Sequence, residues 1–279
     1  MKGLRRIAMA LLLAPSGALA ACPDDAAVAA LAADMLADKA HAPLRLDSLE
    51  DGRCAQAKLV PLLATRWGPP VGYKAALTSP AAQARFKVDQ PVRGVLLREM
   101  LLPSGAKVPA NFTWAGFYEA DLLVVIADAD VNDARSPEDV LAHIRAIRPF
   151  IELPGLVVPS PEGIDGAVVA SINAGARLGV MGDEAPVDSG GDWITALASM
   201  EVVVTDGDGG EIARAPGRAV LGHPLNAVLW LRDDGVRFKA GDLVSVGSFG
   251  PPLKPAAGLA VTVTYRGLPG DPSATVTFE

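Results

Sequence analysis

The sequence predicts an α+β fold, a curled and mainly antiparallel mixed β-sheet with a small helical N-terminal region. Three observations predict it. From Val71 onward, short apolar runs alternate with Gly and Pro, the residues that end strands and make turns. Gly (28) and Pro (23) are plentiful while aromatics are only 5%, a balance that suits turn-rich strands over a helical bundle. Ahead of that texture lie two Ala- and Leu-rich stretches of helical composition. Half of the 279 residues are hydrophobic, so a sizeable core is available, and the length suits one large domain with a smaller appendage. The expected organisation is a targeting segment over 1–21, a helical region over 22–70 and a β-rich domain over 71–279.

The first residues read as a Sec-type signal peptide. Lys2, Arg5 and Arg6 precede the apolar run Ile7 to Ala14, and the small residues Ala18-Leu19-Ala20-Ala21 make a cleavage site. The apolar run is too short for a permanent membrane span. Its removal would take the net charge from −7 to about −10, with 22 basic against 32 acidic residues. The expected location is therefore periplasmic or secreted. Cys22 and Cys54 are the only cysteines. In an oxidising compartment the pair reads as a disulfide pinning the N-terminal segment. Leu19-Ala20-Ala21-Cys22 also resembles a lipobox, which would make Cys22 a lipidated first residue. Cys54 favours the disulfide.

Residues 25–40 form the first expected helix, capped by Asp24 or Asp25, and about 50–65 the second, ending before Gly68-Pro69-Pro70. Expected strands follow at 71–76, 94–97, 117–126, 167–171, 200–205, 211–216, 243–247 and 259–266. Helices are expected at 137–147, with Ser136 as cap and Pro137 at its first position, and at 190–199 and 224–232. Asp206-Gly207-Asp208-Gly209-Gly210 lies between apolar runs and reads as a hairpin turn; a calcium loop would need more ligands.

Composition and motifs narrow the chemistry. A net-acidic chain with no Lys/Arg cluster past its first residues argues against nucleic acid as a partner. H-E-x-x-H, C-x-x-C, G-x-S-x-G, G-x-G-x-x-G and P-loop patterns are all missing, and three histidines are few for a zinc site. What remains is carboxylates and one lysine. In the strand that starts at Tyr118-Glu119-Ala120-Asp121, residues two apart share a face, so Glu119 and Asp121 sit side by side with Leu123 and Val125. Two carboxylates at the rim of an apolar strand need a cation, a basic partner or a proton between them. A hard divalent ion is one solution; a solvated strand end is the other. Asp128 and Asp130 have the opposite parity. Lys74, in Val71-Gly72-Tyr73-Lys74-Ala75-Ala76, either snorkels out or serves the site. Glu152, in Pro149-Phe150-Ile151-Glu152-Leu153-Pro154, is a carboxylate among apolar neighbours.

These residues also carry a resemblance. Gly72-Tyr73-Lys74, Leu77-Thr78-Ser79, Glu119-x-Asp121, Ile151-Glu152, Leu221-Gly222-His223-Pro224, Lys239-Ala240-Gly241-Asp242 and Gly247-Ser248 fall in one order. The set resembles the 2-keto-4-pentenoate hydratase / 4-oxalocrotonate decarboxylase group of the fumarylacetoacetate hydrolase superfamily, from about Ala27 to the C-terminus. The resemblance implies a β-rich catalytic domain that uses Mg²⁺ or Mn²⁺ on short 2-oxo or 2-hydroxydienoic acids through a metal-stabilised enolate. It implies Glu119, Asp121 and Glu152 as metal carboxylates, Lys74 as the active-site lysine, and Asn173 and Ser248 as substrate-contacting positions. Homo-oligomers are common among such relatives. Two departures stand out. The second carboxylate is Asp121 where the family usually has Glu, which keeps the ligand type and alters its reach. Gln90-Pro91-Val92-Arg93-Gly94 carries Val92 where hydratases commonly have an acid and decarboxylase-like relatives an apolar residue. Hydratase, decarboxylase and an exported non-catalytic binder all stay open at this point.

Overall fold

The computed structural model describes residues 22–160, 164–188 and 191–279; the expected signal peptide, 1–21, lies outside the described residues. The helices are α1 (Asp25–Leu36), α2 (Leu49–Trp67), α3 (Pro80–Arg85), α4 (Pro137–Leu141), α5 (Gly166–Ser171), α6 (Trp193–Ser199) and α7 (Asn226–Asp233). The strands are β1 (Pro70–Ala76), β2 (Val92–Leu97), β3 (Leu101–Pro103), β4 (Ala106–Val108), β5 (Glu119–Ile126), β6 (Ile144–Leu153), β7 (Leu178–Met181), β8 (Ala185–Pro186), β9 (Glu201–Asp206), β10 (Glu211–Pro216), β11 (Leu243–Ser245), β12 (Ala260–Arg266) and β13 (Ser273–Phe278).

Local chemistry sets the helix starts. Asp24 accepts from the Ala27 N–H and Ser48 from Asp51, so each of the first two helices has one of its orphan N–H groups satisfied. Pro61 lies inside α2. Val28, Leu31 and Met35 of α1 pack on Leu59, Leu63 and Trp67 of α2, and the cluster continues into Leu97, Met100 and Ile172 of the β-rich region. Cys22 and Cys54 are joined in a disulfide across a separation of 32 residues. That bond engages the sulfur that lipidation would need. Closing a loop of this size contributes about 3–4 kcal/mol in the chain-entropy picture.

One sheet of eight strands runs β2-β1-β11-β5-β6-β7-β3, with β8 beside β6; a second of five runs β10-β9-β12-β13-β4. Most pairings are antiparallel; β1 with β11, β3 with β7 and β4 with β13 are parallel. The ends of the first order, β2 and β3, are separated in sequence only by the 3-10 turn Arg98–Met100. Edges so close along the chain force the sheet to curl round on itself. Leu96, Leu123 and Phe150 fill the inside of the curl. The outside packs on the second sheet in the main core, through Leu122, Val124 and Ile147 against Val202, Val263 and Tyr265. No helix among the described residues is long and apolar enough to cross a membrane.

The structure corrects two expected elements. Residues 167–171, expected as a strand, belong to α5. Ala167-Val168-Val169-Ala170 is too short for its period to distinguish the two, and Asp165 accepts from the Val168 N–H as a helix cap. The helix expected over 137–147 stops at Leu141, and Ile144 already starts β6. That ten-residue strand pairs with β5 on one side and with β7 and β8 on the other, so tertiary pairing overrides the helical start at Ser136-Pro137. Strands β3, β4, β6, β7, β8 and β13 add to those expected. The Asp206–Gly210 segment is the β9–β10 hairpin turn, with Asp206 Oδ1 accepting from the Asp208 and Gly210 N–H groups.

Candidate active site

The site is built where β1, β11, β5 and β6 run side by side. Glu119 of β5 is the direct cross-strand partner of Glu152 of β6, and Asp121 pairs with Phe150. Partners across a ladder project to the same side, so the three carboxylates share one face of the curled sheet, its inner one. Lys74 pairs with Ser245 in β11, and Ser245 pairs with Leu123. The lysine therefore reaches the same face from two strands away.

Lys74 and Glu152 are both almost completely buried, 2% and 3% exposed, and form an ion pair between Nζ and Oε1. Nζ also donates to the Ala174 carbonyl at 3.0 Å. Room for the lysine stem comes from Gly94, its partner on β2. A Cβ there would stand 2.5 Å from Lys74 Cγ, closer than any side chain tolerates. Asp121 is fully buried. Its Oδ2 accepts from Ser245 Oγ and its Oδ1 from the Gly247 N–H at 3.0 Å and from the Leu122 N–H. Gly247 has φ +107, and a Cβ on it would meet Thr78 Oγ1 at 2.6 Å, so only glycine brings that N–H to the carboxylate.

Charge is unbalanced on this face. With all three carboxyls ionised, one lysine would leave a deficit of two positive charges, which a divalent cation matches. Burial, then the Glu152 charge, raises the Glu119 carboxyl from its ordinary 4.5 to about 8, against the pull of Lys74 and of the nearby Ser248 hydroxyl. Burial and Glu152 likewise raise Asp121 to about 7. The donor set is all hard oxygen, the kind Mg²⁺ and Mn²⁺ prefer. Among the described residues no three such side chains are drawn around a single point. Lys74 holds one oxygen of Glu152 and Ser245 one of Asp121, leaving Glu152 Oε2 and the second lone pair of Asp121 Oδ2 as donors. The chemistry of the donors and their uncompensated charge fit the ion.

The other expected residues lie nearby with different duties. Ser248 Oγ donates to the Gly250 carbonyl at 2.7 Å and neighbours Glu119. Asn173 is fully buried at φ +57. Its carboxamide accepts from the Val95 N–H, donates to the Val95 carbonyl and accepts from Gln56. The Asn173 side chain thus holds the turn whose next carbonyl, on Ala174, receives Lys74. Val92 pairs with Ala76, on the side of the sheet that carries Lys74. It packs among Val158, Ile164, Val168 and Ala174. Asp128 and Asp130 lie past the strand, in the turn that Asp128 caps.

Sequence reasoning missed Ser245, the Ala174 carbonyl and Tyr265. A serine in the apolar strand Leu243-Val244-Ser245-Val246 was a usable signal; the other two come from distant turns and strands. Tyr265 of β12 is fully buried. Its hydroxyl donates to the Asp121 carbonyl and accepts from the Phe150 N–H at 3.3 Å, standing at the rung of the ladder that carries Asp121. Tyr265→Phe would leave those backbone groups without it. Stability should fall by about 1–3 kcal/mol, read as a lower urea midpoint with an unchanged slope.

No family model matches the chain. A 2-keto-4-pentenoate hydratase of Dechloromonas aromatica is 33% identical over 202 residues, covering 71% of this chain and 74% of the relative. A second, from Burkholderia vietnamiensis, is 30% identical over 250 residues, with 82% and 89% covered. That extent of likeness decides the family. The chain belongs to the 2-keto-4-pentenoate hydratase / 4-oxalocrotonate decarboxylase group of the fumarylacetoacetate hydrolase superfamily. It is an enzyme of this group, with hydro-lyase chemistry the commonest among its named relatives. The fold agrees with membership. A 4-oxalocrotonate decarboxylase from Pseudomonas putida G7, solved with magnesium and adipate, superposes with a TM-score of 0.79 at 23% identity, covering 91% of this chain and 97% of that one.

Proposed function

We propose that this chain is an exported, divalent-metal-dependent hydratase of small 2-hydroxydienoic or 2-oxo acids. The carrying observation is the buried Lys74–Glu152 pair set into a face that also carries the carboxyls of Glu119 and Asp121. Kinship with the hydratases supports the reaction class, and the Cys22–Cys54 bond supports export to an oxidising compartment.

Glu119, Asp121 and Glu152 would hold Mg²⁺ or Mn²⁺, which supplies Lewis-acid stabilisation of negative charge developing on the substrate's 2-oxygen. The remaining work falls to the chain's own groups. Leu123 and Phe150, on the same face, keep bulk water from the site and strengthen every charge interaction within it. Lys74 Nζ, held by Glu152 Oε1 and the Ala174 carbonyl, is the buried proton donor to the substrate, and it takes back a proton from the water whose hydroxide adds. Hydration places a proton on one carbon of the remote double bond and hydroxide on the other, with no change of oxidation level overall.

Val92 favours a second reading, decarboxylation. Its side chain lies in an apolar cluster on the lysine side, where hydration would use an acid. In that reaction CO₂ leaves and a proton takes its place on carbon, which Lys74 serves equally well.

A panel of 2-hydroxydienoates and 2-oxo-dioates with Mg²⁺ or Mn²⁺ separates the cases. Loss of dienol absorbance without CO₂ release is the expected result. Release of CO₂ would replace it with the decarboxylase reading. Binding without turnover across the panel would overturn both in favour of an exported binder.

A further inference from the structure

The opposite face of β1 and β2 carries a second concavity. Tyr73 pairs with Val95, and Ala75 with Arg93, on either side of the Lys74–Gly94 pair. Alternation along a strand therefore points Tyr73 and Arg93 away from the carboxylates. There they line a cleft of about 410 Å³ together with Arg53, Val60 and Arg237. One layer of sheet separates it from the site described above.

Its charge is set by three guanidinium groups. Arg53 Nη2 stands 2.5 Å from Asp234 Oδ1, and Arg93 Nη1 donates to the Asp234 carbonyl at 2.8 Å and lies 3.2 Å from Oδ2. The Asp234 side chain is only 4% exposed, so it braces both arginines from behind without closing the cleft. Glu50, at 3.7 Å from Arg53 Nη1, is largely exposed. Arg237 is exposed and donates only to main-chain carbonyls, those of Arg232 and Val236. Two carboxylates thus face three guanidinium groups. Among the described residues, Arg93 Nε and Nη2 have no acceptor. A guanidinium fork with unengaged N–H groups matches a carboxylate in shape and charge.

The walls narrow the ligand class. Val60, Val95 and the Tyr73 ring give the cleft an apolar side beside the cationic one. Such a lining suits a short carbon chain with charged ends better than a compact, fully hydrated anion. We propose that this cleft is a second binding site, separate from the carboxylate face, for small dicarboxylates. It is independent of the hydratase reading, because it needs neither metal nor turnover.

The test is calorimetric titration of succinate into the full chain stripped of metal, with the disulfide intact. One saturable site is expected, with a Kd on the order of 1 mM or tighter. Arg237→Ala, at the exposed rim and thus safe for folding, should weaken it about tenfold or more. Lys74→Met should leave it unchanged, which separates the cleft from the face behind it. Inorganic phosphate should bind more weakly than succinate. Absence of saturable heat would overturn the proposal. So would heat lost in Lys74→Met but kept in Arg237→Ala, or phosphate binding as tightly as succinate. A changed oligomeric mass in Arg237→Ala, without succinate binding to wild type, would make the cleft a contact between copies and overturn it as well.

Discussion

Glu152→Gln should abolish metal-dependent turnover while leaving the chain folded. Gln preserves the shape of the side chain and a carbonyl that can still accept from Lys74 Nζ. It removes the negative charge that pairs with the lysine and one of the three charges that call for a divalent ion. Losing a partner from a buried pair costs about 3–5 kcal/mol when nothing replaces it; the retained carbonyl makes the loss of stability smaller here. Binding of Mn²⁺, followed by paramagnetic resonance, should weaken by more than the roughly 10–100-fold typical of an outer-shell partner. The rate on any substrate of the panel should fall by about 10³ or more. Wild-type turnover in this variant would sink the assignment of Glu152 as a ligand.

The second large effect is a linkage between pH, metal and stability. In the metal-free chain, Glu119 rises from 4.5 to about 8 and Asp121 from 3.8 to about 7. A raised carboxyl binds its proton more tightly in the folded state. Between about pH 4 and 8 the folded chain therefore holds more protons than the unfolded one, and stability contributed by these groups is lost as pH rises through that window. Divalent metal competes for the same ionised oxygens, so its stabilisation grows in the opposite direction. Metal-free protein should melt lower at pH 8 than at pH 5. Mg²⁺ or Mn²⁺ at about a hundred times Kd should restore about 2.7 kcal/mol, or about 5–10 °C, at pH 8. At pH 5 the gain should be small. Glu119→Gln should flatten the metal-free profile, since a neutral amide has no proton to lose. A metal effect of equal size at both pH values would contradict the carboxylate site.

Much of the fold and the site was legible in the sequence, for identifiable reasons. The signal at Asp24 is local, and the first helix starts where it points. The carboxylate pair was readable because strand parity is a property of two residues, and Glu119 and Asp121 keep it whatever the strand pairs with. Among the missed strands, β3, β4 and β8 have no such signal; they are two or three residues long and exist because a partner is present. The α5 segment failed for a related reason, since a short apolar run buried on all sides has no period to read. β13 differs, since Ser273–Phe278 alternates buried and less buried residues over six positions, a signal the sequence did carry.

By itself, then, the sequence singled out the carboxylates and the lysine of the candidate site and fixed on which side of its own strand each one stands. Tertiary structure decided what those residues meet. The register of β5 against β6 sets Glu119 opposite Glu152, and the insertion of β11 between β1 and β5 carries Ser245 to Asp121 and Lys74 toward Glu152. It also turned Asn173 into the support of the Ala174 turn and set Tyr265 at the Asp121 rung of the ladder. The physical reason is that side-chain direction follows from the local backbone, whereas register and burial follow from pairings between residues far apart in the chain, such as Lys74 with Ser245.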